Sequence, residues 1–402
     1  MKKQILSLVL LLFLFSCNSD NLDFSTEKKE IAQIESVGFK VSPEEAIERL
    51  NYFINDGQSR TSQKINIQNI EALTKAKCKT RSFTTDTPDT LMYVVNLTDN
   101  KGFALMSADK RTAPIFALVE KGSYSFEDGN MGNPGFELFM EMAKNYIIDT
   151  TTKTNVISRA NISSDWILVE ENGPKLAHEW GQDSPFNMYT PIVNGKQAPV
   201  GCAAVAIGMS TAYLLKGNTF DINGYSMRFT GDYYTKNDLL INTDAAQNVA
   251  RFLREIGRNI NMQYGPNSSG ATASDTEKFL KNESKIKYVT GFKNYGDDTT
   301  VRFLYDCLRL NTGGGIVLMG GHNAGGVGHM WLLDGIKTYL GKSEYLDLYH
   351  CNWGLNGTGN GWYLQTIYTY NDVIISGGPT NDSPAKYPVN LIYCCLSWKK
   401  IY

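Results

Sequence analysis

Gln197-Ala-Pro-Val-Gly-Cys-Ala-Ala-Val-Ala-Ile-Gly-Met209 sets a Pro-Val-Gly turn against an apolar, alanine-rich run, with Cys202 at the junction. Ala203 to Lys216 reads as a helix, and Gly217 suits the left-handed position that follows a last helical turn. Cys202 therefore opens a helix. There the positive end of the macrodipole and several unpaired N–H groups favour thiolate over thiol. On this stretch alone three readings stand: a small buried hydrophobe, half of a disulfide, or a nucleophile.

A nucleophilic thiolate needs a partner that handles protons. The chain has four histidines, His178, His322, His329 and His350. His329 ends the glycine-rich loop of Gly325-Gly-Val-Gly-His-Met-Trp-Leu-Leu-Asp-Gly335, where a strand begins. Catalytic groups are often held in this way, on exposed loops carried by rigid elements. His322, in the same loop, is the weaker candidate. After a turn expected at Asp334-Gly335, the next strand ends in Tyr349-His-Cys-Asn-Trp-Gly354. Asn352 is placed to accept from the imidazole, with Trp353 shielding that bond from water. Upstream, Glu179-Trp-Gly-Gln-Asp-Ser-Pro-Phe-Asn187 offers the Gln182 amide as an oxyanion donor.

The order Gln, Cys, His, Asn is that of a Cys–His hydrolase. Trp180-x-Gln182-x-x-Pro185-Phe186-Asn187, Gly201-Cys202-Ala203-Ala204, Tyr264 to Ser274, Gly328-His329 to Gly335, Asn352-Trp353-Gly354 and Asn360-Gly361 resemble the streptopain family, peptidase family C10. Gly102-Phe-Ala-Leu-Met-Ser-Ala-Asp-Lys-Arg111 with Pro114-Ile115 is similar to the family's inhibitory propeptide. The resemblance implies an α+β fold: a papain-like helical half and an antiparallel, barrel-like half, preceded by a small α+β propeptide. It implies a cysteine endopeptidase made as a zymogen, with no cofactor. Cys202 would be the nucleophile, His329 the general acid/base and Gln182 the oxyanion donor, with Asn352 and Trp353 supporting His329. Gly328, Ser269 and Ala271 would line the substrate cleft, and a hydrophobic residue would be favoured at P2. The chain departs from the family at Ala203-Ala-Val205, at Leu355 where a second Trp is common, and at Ala271 in the pocket. Another thiol acyl-transfer enzyme, such as a transglutaminase or cell-wall amidase, would use the same dyad. A non-catalytic surface binding protein is the third reading.

Bulk properties fit a secreted enzyme. Net charge is −2 and no basic block stands out, so nothing favours nucleic acid. Lys2 and Lys3 precede the apolar run Ile5–Phe15, which is too short to span a bilayer and suits a signal peptide. The run ends in Leu14-Phe-Ser-Cys17, resembling a bacterial lipobox, so Cys17 is the expected lipidation site. Asn18 lacks the simplest inner-membrane retention signal, which points to the outer membrane or cell surface. The expected organisation is a signal peptide (1–16), a tether (17–34), a propeptide unit (35–150), a Thr/Ser-rich linker open to activating cleavage (151–164) and a catalytic unit (165–402).

Within the propeptide unit, Ser42-Pro43-Glu44-Glu45 predicts a capped helix start. Met92–Leu97 and Gly102–Met106 read as a hairpin, Ile115–Val119 as a third strand and Gly135–Ile148 as a helix; residues 56–88 show little pattern. In the catalytic unit, helices are expected near 237–262 and 273–285, then strands at Gly314–Met319, Met330–Leu333 and Tyr345–Tyr349.

Overall fold

Ser42 caps the first helix as the sequence predicts: its hydroxyl accepts from the Glu45 N–H at 3.1 Å, and Pro43 takes the first position of α1 (Pro43–Ile54). The buried face of α1 is Ala46, Leu50 and Phe53. Ser42→Ala should cost about 1 kcal/mol and lower the midpoint of urea unfolding; an unchanged midpoint would mean the cap contributes nothing. The computed structural model describes residues 38–55, 65–78, 87–129, 131–152, 166–229, 235–296, 298–309, 314–322, 328–342, 344–370, 372–375, 385–388 and 390–401. The signal peptide, Cys17, the tether and most of the expected linker lie outside them.

The hairpin forms as expected from β2 (Thr90–Leu97) and β3 (Phe103–Ser107), followed by β4 (Ile115–Val119). An unexpected strand, β1 (Ile67–Thr74), pairs with β2 at the sheet edge. Of its residues only Leu73 is buried, so its sequence shows no clean alternation. The helix expected at 135–148 is longer, α2 (Pro134–Thr152).

The catalytic unit contributes β5 (Ile167–Asn172), β6 (Ile316–His322), β7 (Gly328–Leu340), β8 (Tyr345–Asn352), β9 (Gly361–Leu364) and β10 (Ile392–Ser397). All pairings of these strands are antiparallel. β4 pairs with β9, placing Ala117 opposite Tyr363 and Val119 opposite Gly361. A single 12-stranded sheet therefore runs β1-β2-β3-β4-β9-β8-β7-β6-β10, then Tyr288–Val289, with β5 beside β7 and Lys293–Asn294 beside β10.

The expected turn at Asp334-Gly335 is not there. β7 runs straight through it with a register irregularity, and the chain reverses at Gly341, whose N–H donates to Glu344 O. Asp334 is buried, with Oδ2 accepting from the N–H groups of Lys175 (3.0 Å) and Leu176 (2.7 Å). Tertiary partners thus override its turn preference. Gly335 marks a close approach: a Cβ would come within 3.0 Å of His350 and Trp362.

The helices are α3 (Cys202–Leu214), α4 (Lys236–Ile241), α5 (Thr243–Asn259), α6 (Ala273–Asn282) and α7 (Asp298–Leu308). The helix expected at 237–262 is two, because Asn242 ends α4 and its side chain caps α5 through the Ala245 N–H. Alternation along the central strands feeds two cores. Ile316, Leu318, Leu332, Cys394 and Leu396 pack with α3 and α5, whereas Val317, Met319, Trp331, Leu333 and Cys395 pack in the core that holds Phe136 and Phe139 of α2.

Candidate active site

Gly201 precedes α3 with φ +93°, and a Cβ there would sit 2.6 Å from Met262 Cε and 3.1 Å from Ser269 O. Left-handed geometry and crowding together require glycine where the chain enters the helix. Cys202 Sγ, partly exposed at that N-terminus, accepts from the Met330 N–H at 3.4 Å. Burial pushes the thiol up. The hydrogen bond and charge of His329, with the N–H groups of Met330 and Ala203, outweigh burial and hold it below its ordinary value.

His329 is the second residue of β7, opposite Gly321 on β6. Its Nε2 lies 2.9 Å from the Trp353 carbonyl oxygen, an acceptor only, so Nε2 carries the proton. That leaves Nδ1 for the thiol. The ring lies nearly parallel to Trp331, with centroids 6.3 Å apart, and tilted to Trp353 at 6.4 Å. Trp353 is fixed in turn: its backbone N–H donates to Asn360 Oδ1 (3.0 Å), and its indole N–H to Gly359 O (2.9 Å) and Tyr363 Oη (3.2 Å).

Asn352 differs from expectation. Its Nδ2 donates to His178 O at 2.7 Å, and its Oδ1 accepts from the Gly354 N–H at 3.2 Å. Both ends of the amide are thus taken by backbone groups, His178 O and the Gly354 N–H, so the imidazole is met by the Trp353 carbonyl instead. Gln182 is half-buried, and its carbonyl accepts from the Val200 N–H at 2.8 Å, which ties its loop to the residues leading into Cys202. Ser269 lies beside the same step, its hydroxyl donating to Pro199 O at 2.7 Å. Ala271 is half-buried against the α3 core, and Gly328 is exposed next to His329.

The propeptide-side helix reaches this site. Gly135 of α2 packs so closely that a Cβ would fall 2.3 Å from two indole carbons of Trp353 and 3.0 Å from His329 Cδ2. Leu138, one turn on, packs near Gly321. A thiol with lowered proton affinity, a fixed imidazole and a helix N-terminus can carry out nucleophilic acyl transfer, and here a second unit leans on the imidazole.

Comparison with known proteins agrees. Residues 180–363 match the Peptidase C10 family, and residues 39–147 match the Spi protease inhibitor family. Streptopain of Streptococcus pyogenes serotype M1 is 25% identical over 311 residues, 68% of this chain and 73% of its own length. The thiol protease/hemagglutinin PrtT of Porphyromonas gingivalis is 22% identical over 69% of this chain and 34% of its own length. A prointerpain A fragment from Prevotella intermedia superposes with a TM-score of 0.52 at 20% identity, over 81% of this chain and 97% of that one, which supports the fold. The molecule is a cysteine endopeptidase of papain-like α+β fold made with a propeptide. It is streptopain-like, and its match to the Peptidase C10 family lies in residues 180–363.

Sequence reasoning missed three contributors. The Met330 N–H is a backbone donor and leaves no residue signature. Gly135 looked like an ordinary helix start. The Asp334–His350 contact, 2.5 Å between Oδ1 and Nδ1, joins residues on neighbouring strands that no motif pairs.

Proposed function

We propose that Cys202 is the nucleophile of a secreted, lipid-anchored endopeptidase and that His329 moves its proton. The observation that carries this reading is the thiol at the N-terminus of α3, lowered by His329, whose far nitrogen is held by the Trp353 carbonyl. Nδ1 takes the thiol proton, and the thiolate attacks the scissile carbonyl. The tetrahedral oxyanion is met by the Gln182 amide and the N-terminal N–H groups of α3. The intermediate collapses to a thioester as Nδ1 passes its proton to the leaving amine, and water then releases the acid. The Met262 side chain beside Gly201 makes an apolar flank, which favours a hydrophobic P2 side chain in a cleft that includes Gly328, Ser269 and Ala271. Residues 39–147 cover the site until cleavage in the 151–164 linker. The signal-peptide pattern and Cys17 support a lipid anchor at the outer membrane or cell surface.

Iodoacetamide alkylation of the self-processed protein tests this reading. Cys202 should be modified with a midpoint below the ordinary thiol pKa of about 8.5, and casein cleavage should fall in step. Cys394, whose thiol burial pushes up to about 12, should stay unmodified in the folded protein. Alkylation of Cys202 no faster than in urea would overturn the proposal. Amine incorporation into casein without cleavage would assign a transglutaminase, and release of peptidoglycan fragments an amidase.

A further inference from the structure

His350, on β8, is buried between two carboxylates from different units. Its Nδ1 is 2.5 Å from Oδ1 of Asp334, and its Nε2 is 3.3 Å from Oε1 of Glu120, just beyond β4. The second contact has the geometry of an ion pair rather than an aligned hydrogen bond, and Nε2 meets no other acceptor. Asp334 belongs to the catalytic half, with its other oxygen taken by the Lys175 and Leu176 N–H groups. It therefore stays with His350 whether or not Glu120 is present. Trp362 closes the ring edge-on, with centroids 5.0 Å apart. Glu120 is delivered by the sheet: its N–H donates to Asn360 O at 3.0 Å, at the end of the β4–β9 pairing.

We propose that the Asp334–His350 pair is a carboxylate-binding socket of the catalytic half, and that Glu120 fills it as the ionic latch that holds the propeptide unit in place. The proposal rests on residues 39–147 acting as the inhibitor of the Cys202 site. The latch lies on the same loop system as the imidazole. Asn360 O receives the Glu120 N–H, while Asn360 Oδ1 receives the Trp353 N–H. Loosening at Glu120 thus reaches the residue whose carbonyl orients His329.

The charges around the latch set its pH range. Burial alone pulls the His350 imidazole down, but the charge and hydrogen bond of Asp334 and the ion pair with Glu120 outweigh it and hold the pKa up to about 9. Glu120 is held below the usual carboxyl range, first by its close contact with the His350 imidazole and, against some desolvation, by the charges of His350, Lys121 and Lys337. Lys121 also pairs with Glu179 at 2.5 Å, and Lys337 with Glu171 at 3.3 Å. Lys175, Tyr213 and Cys351 face Asp334, and the buried Tyr363 phenol, pushed well up, faces Glu120. For His350 the raised value means a contribution lost as pH rises through about 9. For Glu120 the lowered value means a contribution present above the free carboxyl pKa of about 4.3 and lost as pH falls through the lowered one. The latch is closed between those limits.

Hydrogen exchange on the full-length Cys202→Ala chain, with and without Glu120→Gln, tests this; Glu120 is partly exposed, so the variant should fold. At pH 7 the amides of 117–120 and 361–364 should exchange about tenfold faster in Glu120→Gln, relative to intrinsic rates, as expected for loss of a partly buried ion pair. As pH rises through about 9 and His350 loses its proton, the two chains should converge. Lys121→Ala, which leaves the socket filled, should give a smaller change. Equal exchange at pH 7, or a difference that persists undiminished at pH 10.5, where His350 is neutral, would overturn the latch. Faster exchange in Glu120→Gln with no earlier onset of peptidase activity in the Cys202 background would leave the latch standing and remove the inhibitory role of residues 39–147.

Discussion

The Cys202→Ala chain should lose peptide-bond cleavage by at least about 10⁴-fold, because a catalytic unit that has lost its nucleophile keeps little beyond binding and oxyanion stabilisation. It should also stay as a single band of full length, while the unaltered chain releases a fragment beginning within 151–164. N-terminal sequencing after incubation reads both results at once. The variant should fold normally. Cys202 is the first residue of α3 and partly exposed, alanine is the best helix former, and the change removes one weak sulfur contact from the Met330 N–H. Lost activity is therefore lost chemistry. Continued cleavage of casein by the pure variant would remove Cys202 from the mechanism, and processing in that variant alone would mean that another protease performs maturation.

What could be read from the sequence follows from the range over which each feature is determined. Helix entry at Cys202 depends on Gly201 and the alanine run beside it. The Ser42 cap and the β2–β3 hairpin are likewise local, and each appears within a few residues of its predicted place. Elements fixed by distant partners were misread. Asp334-Gly335 has turn composition, but the Lys175 and Leu176 N–H groups and the His350 imidazole satisfy the carboxylate, so β7 continues. The supporting role given to Asn352 shows the same limit. The residue lies beside the imidazole's partner, yet its amide is consumed by His178 O and the Gly354 N–H, and the contact itself comes from the Trp353 backbone. A side chain can be proposed from its type, whereas a carbonyl that every residue possesses cannot. For the same reason the joining of the two units through β4 and β9 had no sequence signal, since β9 is four residues long and buried throughout.

Gly135→Ala should uncover the active site of the unprocessed chain. Asn133 Oδ1 caps α2 by accepting from the N–H groups of Gly135 (3.1 Å) and Phe136 (3.0 Å), and its Nδ2 donates to Thr358 O (3.2 Å). The helix is thereby tied to the loop that carries Gly359 and Asn360, the partners of Trp353. A methyl at position 135 would be driven to 2.3 Å from the Trp353 ring. That ring has no room to yield: it is fully buried, its N–H is bonded, and Trp331 and Tyr363 pack against it with centroids at 5.2 Å and 5.3 Å. The helix must therefore shift. Overpacking of this kind costs about 1–3 kcal/mol, so alkylation of Cys202 before processing should rise roughly tenfold to a hundredfold. Intrinsic propensity pulls the other way, because alanine favours a helix over glycine by about 1 kcal/mol. Slower alkylation than in the unaltered chain would mean that helix stability governs latency; faster alkylation means that contact with Trp353 and His329 governs it. The processed enzyme lacks position 135, so its activity should match that of the unaltered enzyme. A loss there would place the defect in folding rather than in cover of the site.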